Sequence, residues 1–246
     1  MLVSAGPTQE AVDPVRYLSN HSSGKMGYAI ARVARRRGAA VTLVSGPTAL
    51  SPPPGVTTIA IRSAREMADA MDAAFRAATV VIMTAAVADY RPRTPLTQKM
   101  KKTADRLALE LERTPDILAG LARRKGRRVL VGFAAETHDL VAEARRKLRA
   151  KRLDLVVAND VTTPGAGFGS DQNAVRLLDT RGLDEAVALS DKDDVAARIL
   201  DWVAGWRGPR GLPRVFPPRS VGGVKRRRVR APAARRRSRR SSGHDA

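Results

Sequence analysis

The chain has 246 residues, 43% hydrophobic and only 4% aromatic, enough for one aliphatic α/β interior packed by Ala, Val and Leu. It has no cysteine and three scattered histidines (His21, His138, His244), which excludes disulfides, thiolate metal sites and a zinc cluster and leaves oxygen ligands for any metal. The formal net charge is +21, but residues 207–246 hold 14 Lys and Arg against one acid; there is no apolar run of about 18 residues and no leader with a cleavage site, so a cytoplasmic protein without a membrane span is expected.

Leu2–Ser4 reads as a short strand that ends in Ala5-Gly6-Pro7-Thr8. The polar run Asp13-Pro14-Val15-Arg16-Tyr17-Leu18-Ser19-Asn20-His21-Ser22-Ser23-Gly24-Lys25-Met26-Gly27 follows, and apolar periodicity predicts a helix over Lys25–Arg37. Hydroxyls, an amide, glycines and a lysine therefore lie between a strand and a helix N-terminus, at the sheet edge where open α/β folds bind ligands. Glycine lets backbone approach an anion closely, serine donates to it, and free N–H groups add positive charge. The run matches neither the P-loop, because Met26 follows Gly24-Lys25, nor G-x-G-x-x-G, so an anion site and a plain polar connection both remain open.

Further along, strands are predicted at Ala40–Val44, Val56–Ile61 and Val80–Thr84, with a helix at Ala64–Ala77. Thr94 to Thr103 carries one proline and three lysines without an apolar face and reads as a mobile loop. Leu107, Leu109 and Leu111 alternate with polar residues and mark an extra strand outside the main sheet. A helix at Pro115–Lys125, a strand at Arg128–Phe133, a helix at Asp139–Arg152, strands at Leu153–Ala158 and Ala174–Asp179, and a helix at Lys192–Trp206 complete the series. Such alternation implies a Rossmann-like α/β fold, a mostly parallel sheet with helices on both faces. Residues 1–206 are expected to form one domain and 207–246 a basic, Pro/Arg-rich disordered tail, whose one sharper reading is nonspecific, salt-sensitive binding to nucleic acid or anionic surfaces.

Six segments resemble the signature set of phosphopantothenoylcysteine synthetase, the ligase half of the bifunctional bacterial coenzyme A biosynthesis protein. Besides the run from Asp13 to Gly27 they are Ala5 to Glu10, Thr84 to Arg91, Lys99-Met100-Lys101-Lys102, Val131 to Thr137, and Ala158-Asn159-Asp160-Val161 with Gly167-Phe168. The resemblance spans roughly residues 2 to 204. It implies that CTP activates the carboxylate of 4′-phosphopantothenate to an acyl-cytidylate and that the amine of L-cysteine then displaces CMP. Positioning and charge stabilisation are the main tasks of such a site, with Mg2+ on the nucleotide.

The same resemblance assigns residues. Lys99 would neutralise charge at the triphosphate, and Asn20 would handle the acyl intermediate, although an Asn before a helix is also a common cap. Gly6, Ser22, Gly24 and Gly27 would contact phosphate, and Lys25 is a weaker candidate. Met83, Thr84 and Ala85 with Asp89 would line the CTP pocket, and Ala85, Ala86 and Asp89 would also meet phosphopantothenate. Phe133 would stack on the base. Pro115, Asp116, Ile117 and Leu118 complete the nucleotide set, while also making a good helix start. Lys147 and Lys151 lie one helical turn apart and repel unless something negative sits between them; lysines at both positions mark the CTP-using members of the family.

Two other classes remain to be weighed. A nicotinamide- or nucleotide-sugar-dependent oxidoreductase of doubly wound fold would need G-x-G-x-x-G, an acid after the second strand and Tyr-x-x-x-Lys; Val41 to Ser45 ends without an acid, and Tyr17, Tyr28 and Tyr90 have no lysine four residues on. A nucleic-acid-binding protein would act through the tail. The flavin-dependent decarboxylase half usual in the family is absent from this sequence, so no FMN is expected on these residues, which are either a stand-alone ligase or a sequence that begins late in a longer protein; the resemblance also implies a homodimer.

Overall fold

The structure, a computed structural model, describes residues 1–101, 107–136, 139–160, 165, 167 and 169–206. Lys102, Thr137, His138, Val161, Phe168 and the tail at 207–246 lie outside the described residues.

In chain order the elements are β1 Leu2–Ala5, β2 Gln9–Ala11, β3 Tyr17–Ser19, α1 Lys25–Arg36, β4 Thr42–Ser45, β5 Thr57–Ala60, α2 Ala64–Phe75, β6 Val80–Met83, β7 Tyr90–Pro92, β8 Leu111–Arg113, α3 Ile117–Arg123, β9 Val129–Glu136, α4 Leu140–Ala150, β10 Leu155–Asp160, β11 Gln172–Asp179, β12 Asp184–Asp191 and α5 Lys192–Gly205. Eight strands form the main sheet in the order β12-β11-β10-β9-β6-β1-β4-β5. Strands β5, β4, β1, β6, β9 and β10 pair in parallel; β11 runs antiparallel to β10, and β12 antiparallel to β11. The expected mostly parallel, doubly covered sheet is the one observed.

Alternation along the strands divides the core into two layers. Val3, Leu43, Ile82, Val131 and Val157 face α1 and α5. Their neighbours Leu2, Val44, Val81, Leu130 and Val156 face α2, α3 and α4. All four residues of β1 are buried, as a central strand requires, and Val3 is in register with Leu43 on one side and Ile82 on the other.

All five expected helices are present, with ends set by their caps. Asp116 accepts a hydrogen bond from the Ala119 N–H at 3.0 Å and starts α3 at Ile117, so Pro115 and Asp116 precede the helix. Ser63 caps α2 by accepting from the Glu66 N–H at 3.2 Å, and the Glu66 carboxylate reaches back to accept from the Arg62 N–H at 2.8 Å.

Four strands depart from the expectation. Two short ribbons stand off the main sheet, β2 with β3 and β7 with β8. The extra strand expected around Leu107 to Leu111 is β8, starting only at Leu111, and β3 lies inside the run read as a polar connection. The hairpin partner β12 is an edge strand turned by Gly182, at φ 99°, with the Asp179 carboxylate accepting from the Arg181 and Leu183 N–H groups.

Leu130 is fully buried between β9 and the α3 and α4 layer, whereas Leu189 on β12 is 41% exposed. Leu130→Ala is expected to lower unfolding stability in urea by about 2–5 kcal/mol. Leu189→Ala should stay within about 0.5 kcal/mol of the parent.

Candidate active site

Strands β1, β6 and β9 end on one edge, and the segments at the ends of β1 and β6 are stitched together. The Ala86 N–H donates to the Gly6 carbonyl at 3.0 Å, and the Thr8 N–H to the Ala86 carbonyl at 3.3 Å. Ser4 Oγ accepts from the Ala85 N–H at 3.2 Å, while Thr84 Oγ1 donates to the Ser4 carbonyl. Gly6 makes this turn at φ 73°, a conformation that favours glycine.

Helix α1 descends onto the same edge. Its N-cap is Gly24 at φ 77°, which has no side chain to close the first turn; Ser22 Oγ accepts from the Gly24 N–H at 3.3 Å and Ser23 Oγ from the Lys25 N–H at 3.5 Å. A Cβ on Gly27 would come within 2.5 Å of Ala5 Cβ, 2.6 Å of Thr84 Oγ1 and 2.9 Å of the Ser4 carbonyl oxygen. Gly27 therefore packs helix against strand, and the absence of its side chain brings the amino end of α1 over the sheet edge.

Two adjoining cavities open there. The first, about 470 Å³, lies between β6, β9, α3 and α4 and is lined by Met83, Ala85, Asp89, Pro115, Asp116, Ile117, Leu118, Phe133, Lys147 and Lys151 among the expected residues. The second, about 490 Å³, lies under the start of α1 and is lined by Asn20, Ser22, Gly24, Gly27, Thr84 and Ala86. Ala85, Val87, Asp89, Phe133 and Lys147 line both, so they form one wall of a two-chambered cleft.

Asn20 is not the helix cap: its Nδ2 donates to the Val87 carbonyl at 3.0 Å, and the amide stands at the cleft. The two lysines of α4 have separate protein partners. Lys147 Nζ donates to the Phe133 carbonyl at 2.5 Å, and Lys151 pairs with the Asp116 carboxylate. Asp116 thus serves as a cap and as a counter-charge, so a bound anion is not needed to hold Lys151 in place.

Gly6 and Lys99 do not line either chamber. Gly6 lies buried behind Gly24. Lys99 is exposed on the segment between β7 and β8, and part of that segment, expected to be a mobile loop, is tied down: Leu96 N–H donates to the Val12 carbonyl at 2.9 Å and Met100 N–H to Asp13 Oδ2 at 3.1 Å. Burial would raise the Asp13 pKa. The Val15, Met100 and Arg16 N–H groups and the Arg16 charge outweigh it and hold the carboxyl at about 2.

Several lining residues escaped the sequence reading. Tyr90, Arg113 and Thr114 join the first chamber, while Asn159, Asn173 and Lys192 join the second. Asn159 Oδ1 and Asn173 Oδ1 are buried without a hydrogen-bond partner among the described residues, the state of a polar atom that a ligand or water completes. The signal available was an asparagine closing the apolar run Leu155 to Ala158. Lys192, 7% exposed, donates to the Gln172 carbonyl at 3.0 Å, and Lys25 donates to the Gly169 carbonyl at 2.8 Å; both fasten the segment 169–172 beside the cleft. Desolvation, with the Lys25 charge adding, lowers the Lys192 pKa, and the hydrogen bond from Lys25 lowers that of Asp171.

Because the folded-state pKa of Asp13 is depressed, the stability it contributes is complete above the ordinary carboxylate range and is lost as the pH falls through about 2. Carboxyl-carbon NMR should show Asp13 titrating near that value, below the ordinary carboxylate range.

The family described as DNA/pantothenate metabolism flavoprotein C-terminal domain matches residues 1–206. The coenzyme A biosynthesis bifunctional protein CoaBC of Bacillus subtilis (strain 168) is 48% identical over 205 residues, which are 83% of this chain and 50% of that protein. CoaBC of Escherichia coli (strain K12) is also 48% identical over 205 residues, 82% of this chain and 50% of that protein. The chain spans about half the length of the curated relatives it matches. The crystal structure of the C-terminal domain of CoaBC superposes with a TM-score of 0.71 at 44% identity, covering 82% of this chain and 92% of that one. The flavoprotein of the same name from Streptococcus pneumoniae gives 0.72 at 26% identity, with 83% and 97% covered. Fold and sequence agree, and the chain belongs to the DNA/pantothenate metabolism flavoprotein C-terminal domain family.

Proposed function

We propose that the protein is a phosphopantothenate–cysteine ligase. The carboxylate of 4′-phosphopantothenate attacks the α-phosphorus of CTP and pyrophosphate leaves; the amine of L-cysteine then attacks the acyl carbon of the resulting acyl-cytidylate, CMP leaves, and an amide remains. The observation that carries this reading is the two-chambered cleft, where a nucleotide and an acyl substrate can lie on either side of the wall formed by Ala85, Asp89, Phe133 and Lys147. The relatives named for coenzyme A biosynthesis support it, since they share nearly half of their aligned residues with this chain.

Each role follows from local chemistry. The open first turn of α1, with Ser22 and Ser23, offers N–H and hydroxyl donors to phosphate oxygens. Lys99, which lines neither chamber, is assigned charge at the phosphorus under attack by the family resemblance. Asn20, held at Val87 through one N–H, keeps a second N–H for the oxygen of the acyl group and an acceptor for the incoming amine. Phe133 offers a ring face to the base. The lysine pair of α4 supports CTP over ATP through the family resemblance.

Among the described residues no group of three or more His, Cys, Asp or Glu could hold a metal by itself. Asp89, exposed in the shared wall, fits a Mg2+ site completed by substrate phosphates, where the ion would offset phosphate charge. Amide coupling involves no change of oxidation state, so FMN has no assigned role. A homodimer is part of the proposal, supported by the exposed Val15, Tyr17, Tyr90, Leu96 and Leu111 on and beside the two ribbons. A cytoplasmic setting is proposed with it; among the described residues no helix is long and apolar enough to cross a membrane.

The test is incubation with 4′-phosphopantothenate, L-cysteine, Mg2+ and either CTP or ATP, following pyrophosphate and product mass. Pyrophosphate release and amide formation are expected with CTP, and absence of both from folded protein would sink the proposal. Lys99→Gln should slow pyrophosphate release by about 100- to 1,000-fold. Asn20→Asp should bind both substrates and stall at the acyl-nucleotide, which mass spectrometry would then detect.

A further inference from the structure

The turn between β2 and β3 holds a buried carboxylate whose contacts exceed what the turn needs. Asp13 is 3% exposed. Its Oδ1 accepts from the Val15 and Arg16 N–H groups, both at 2.8 Å, which closes the turn locally. Its Oδ2 does different work, accepting from Arg16 Nε at 3.0 Å and from the Met100 N–H at 3.1 Å. The last of these bonds joins residues 87 apart in sequence. Arg16, whose Nη2 lies 2.8 Å from the same carboxylate, donates from that nitrogen to the Met100 carbonyl at 2.6 Å. The donor and the acceptor of residue 100 are therefore both held by the Asp13–Arg16 pair.

Residue 100 adjoins Lys99, whose long, freely rotating stem gives it no fixed place of its own. Consecutive Cα atoms are about 3.8 Å apart across a planar peptide, so holding Met100 fixes the origin from which the Lys99 side chain extends. A buried charge is retained only where hydrogen bonds compensate it, and four of the contacts above do so. We infer that Asp13 is a positioning residue: with Arg16 it clamps the Met100 backbone and so places Lys99 for carboxylate activation. This rests on the reading of Lys99 as the group that acts on the triphosphate.

The two carboxylate oxygens allow the clamp to be removed without the turn. Asp13→Asn can keep Oδ1 for Val15 and Arg16 while replacing Oδ2 with an amide nitrogen, which cannot accept from Met100 or from Arg16. Amide hydrogen exchange should then quicken at Met100 while the Val15 and Arg16 amides stay protected. Pyrophosphate release should fall about 100-fold, as a displacement near 1 Å can cause, mainly in kcat, with KM for CTP changed far less. The double variant Asp13→Asn/Lys99→Gln should be no slower than Lys99→Gln alone, because a lysine that is absent cannot be misplaced further. Unchanged Met100 exchange in Asp13→Asn, or rate losses that multiply in the double variant, would overturn the inference and leave the ligase reading standing. Parent protein that releases no pyrophosphate would instead overturn the ligase reading, and Met100 exchange would still decide whether the clamp exists.

Discussion

Helix α1 can lie against β1 and β6 only because residue 27 has no side chain. A methyl group there would collide with Ala5, Thr84 and the Ser4 carbonyl together, and two of those contacts are with groups fixed in the sheet or bonded to it. The close approach aims the uncapped end of the helix at the strand edge. Beneath it the Ser4, Thr84 and Ala85 polar atoms bond to one another and tie the ends of β1 and β6 together. Packing at one glycine thus decides where donors collect.

From that anchor the rest of the cleft follows by register. Parallel strands bring their carboxyl ends to the same side, so residues that follow β1, β6 and β9 meet although they are far apart in sequence. Asp89 and Phe133 come from different loops and line both chambers. The α4 lysines reach the first chamber from the helix that follows β9. None of these placements requires unusual backbone geometry at the residue itself.

Much of this was legible in the sequence, for reasons that differ by element. Buried runs such as Val80 to Met83 and Leu155 to Ala158 reveal strands because both faces must be apolar, and five amphipathic segments reveal the helices. The ribbons were not legible: three-residue strands such as Tyr17–Ser19 bury little and carry no period long enough to detect. Strand β12 hid in the same way, its short run Ala186 to Leu189 flanked by acids and largely exposed. In the site, glycines and small residues at strand ends were readable because close approach demands them. Asn173 was not, since only the antiparallel return of β11 brings it to the chamber that Asn159 lines. The tie between Asp13 and Met100 likewise depends on tertiary path, and no local spacing announces it.

The outermost strands of the sheet have a bearing on how copies of this protein can meet. On one side Pro52, Pro53 and Pro54 lead toward β5, and proline offers no N–H to a neighbouring chain. On the other, Asp184 and Glu185 begin β12 and are neutralised by Arg145, Arg176 and Arg198 of the same chain. The β12 border thus carries ion pairs made within the chain and is a poor template for lateral strand addition. Fibre growth along that border is discouraged, and the pairing of two copies proposed above would instead bury the apolar side chains of the ribbons.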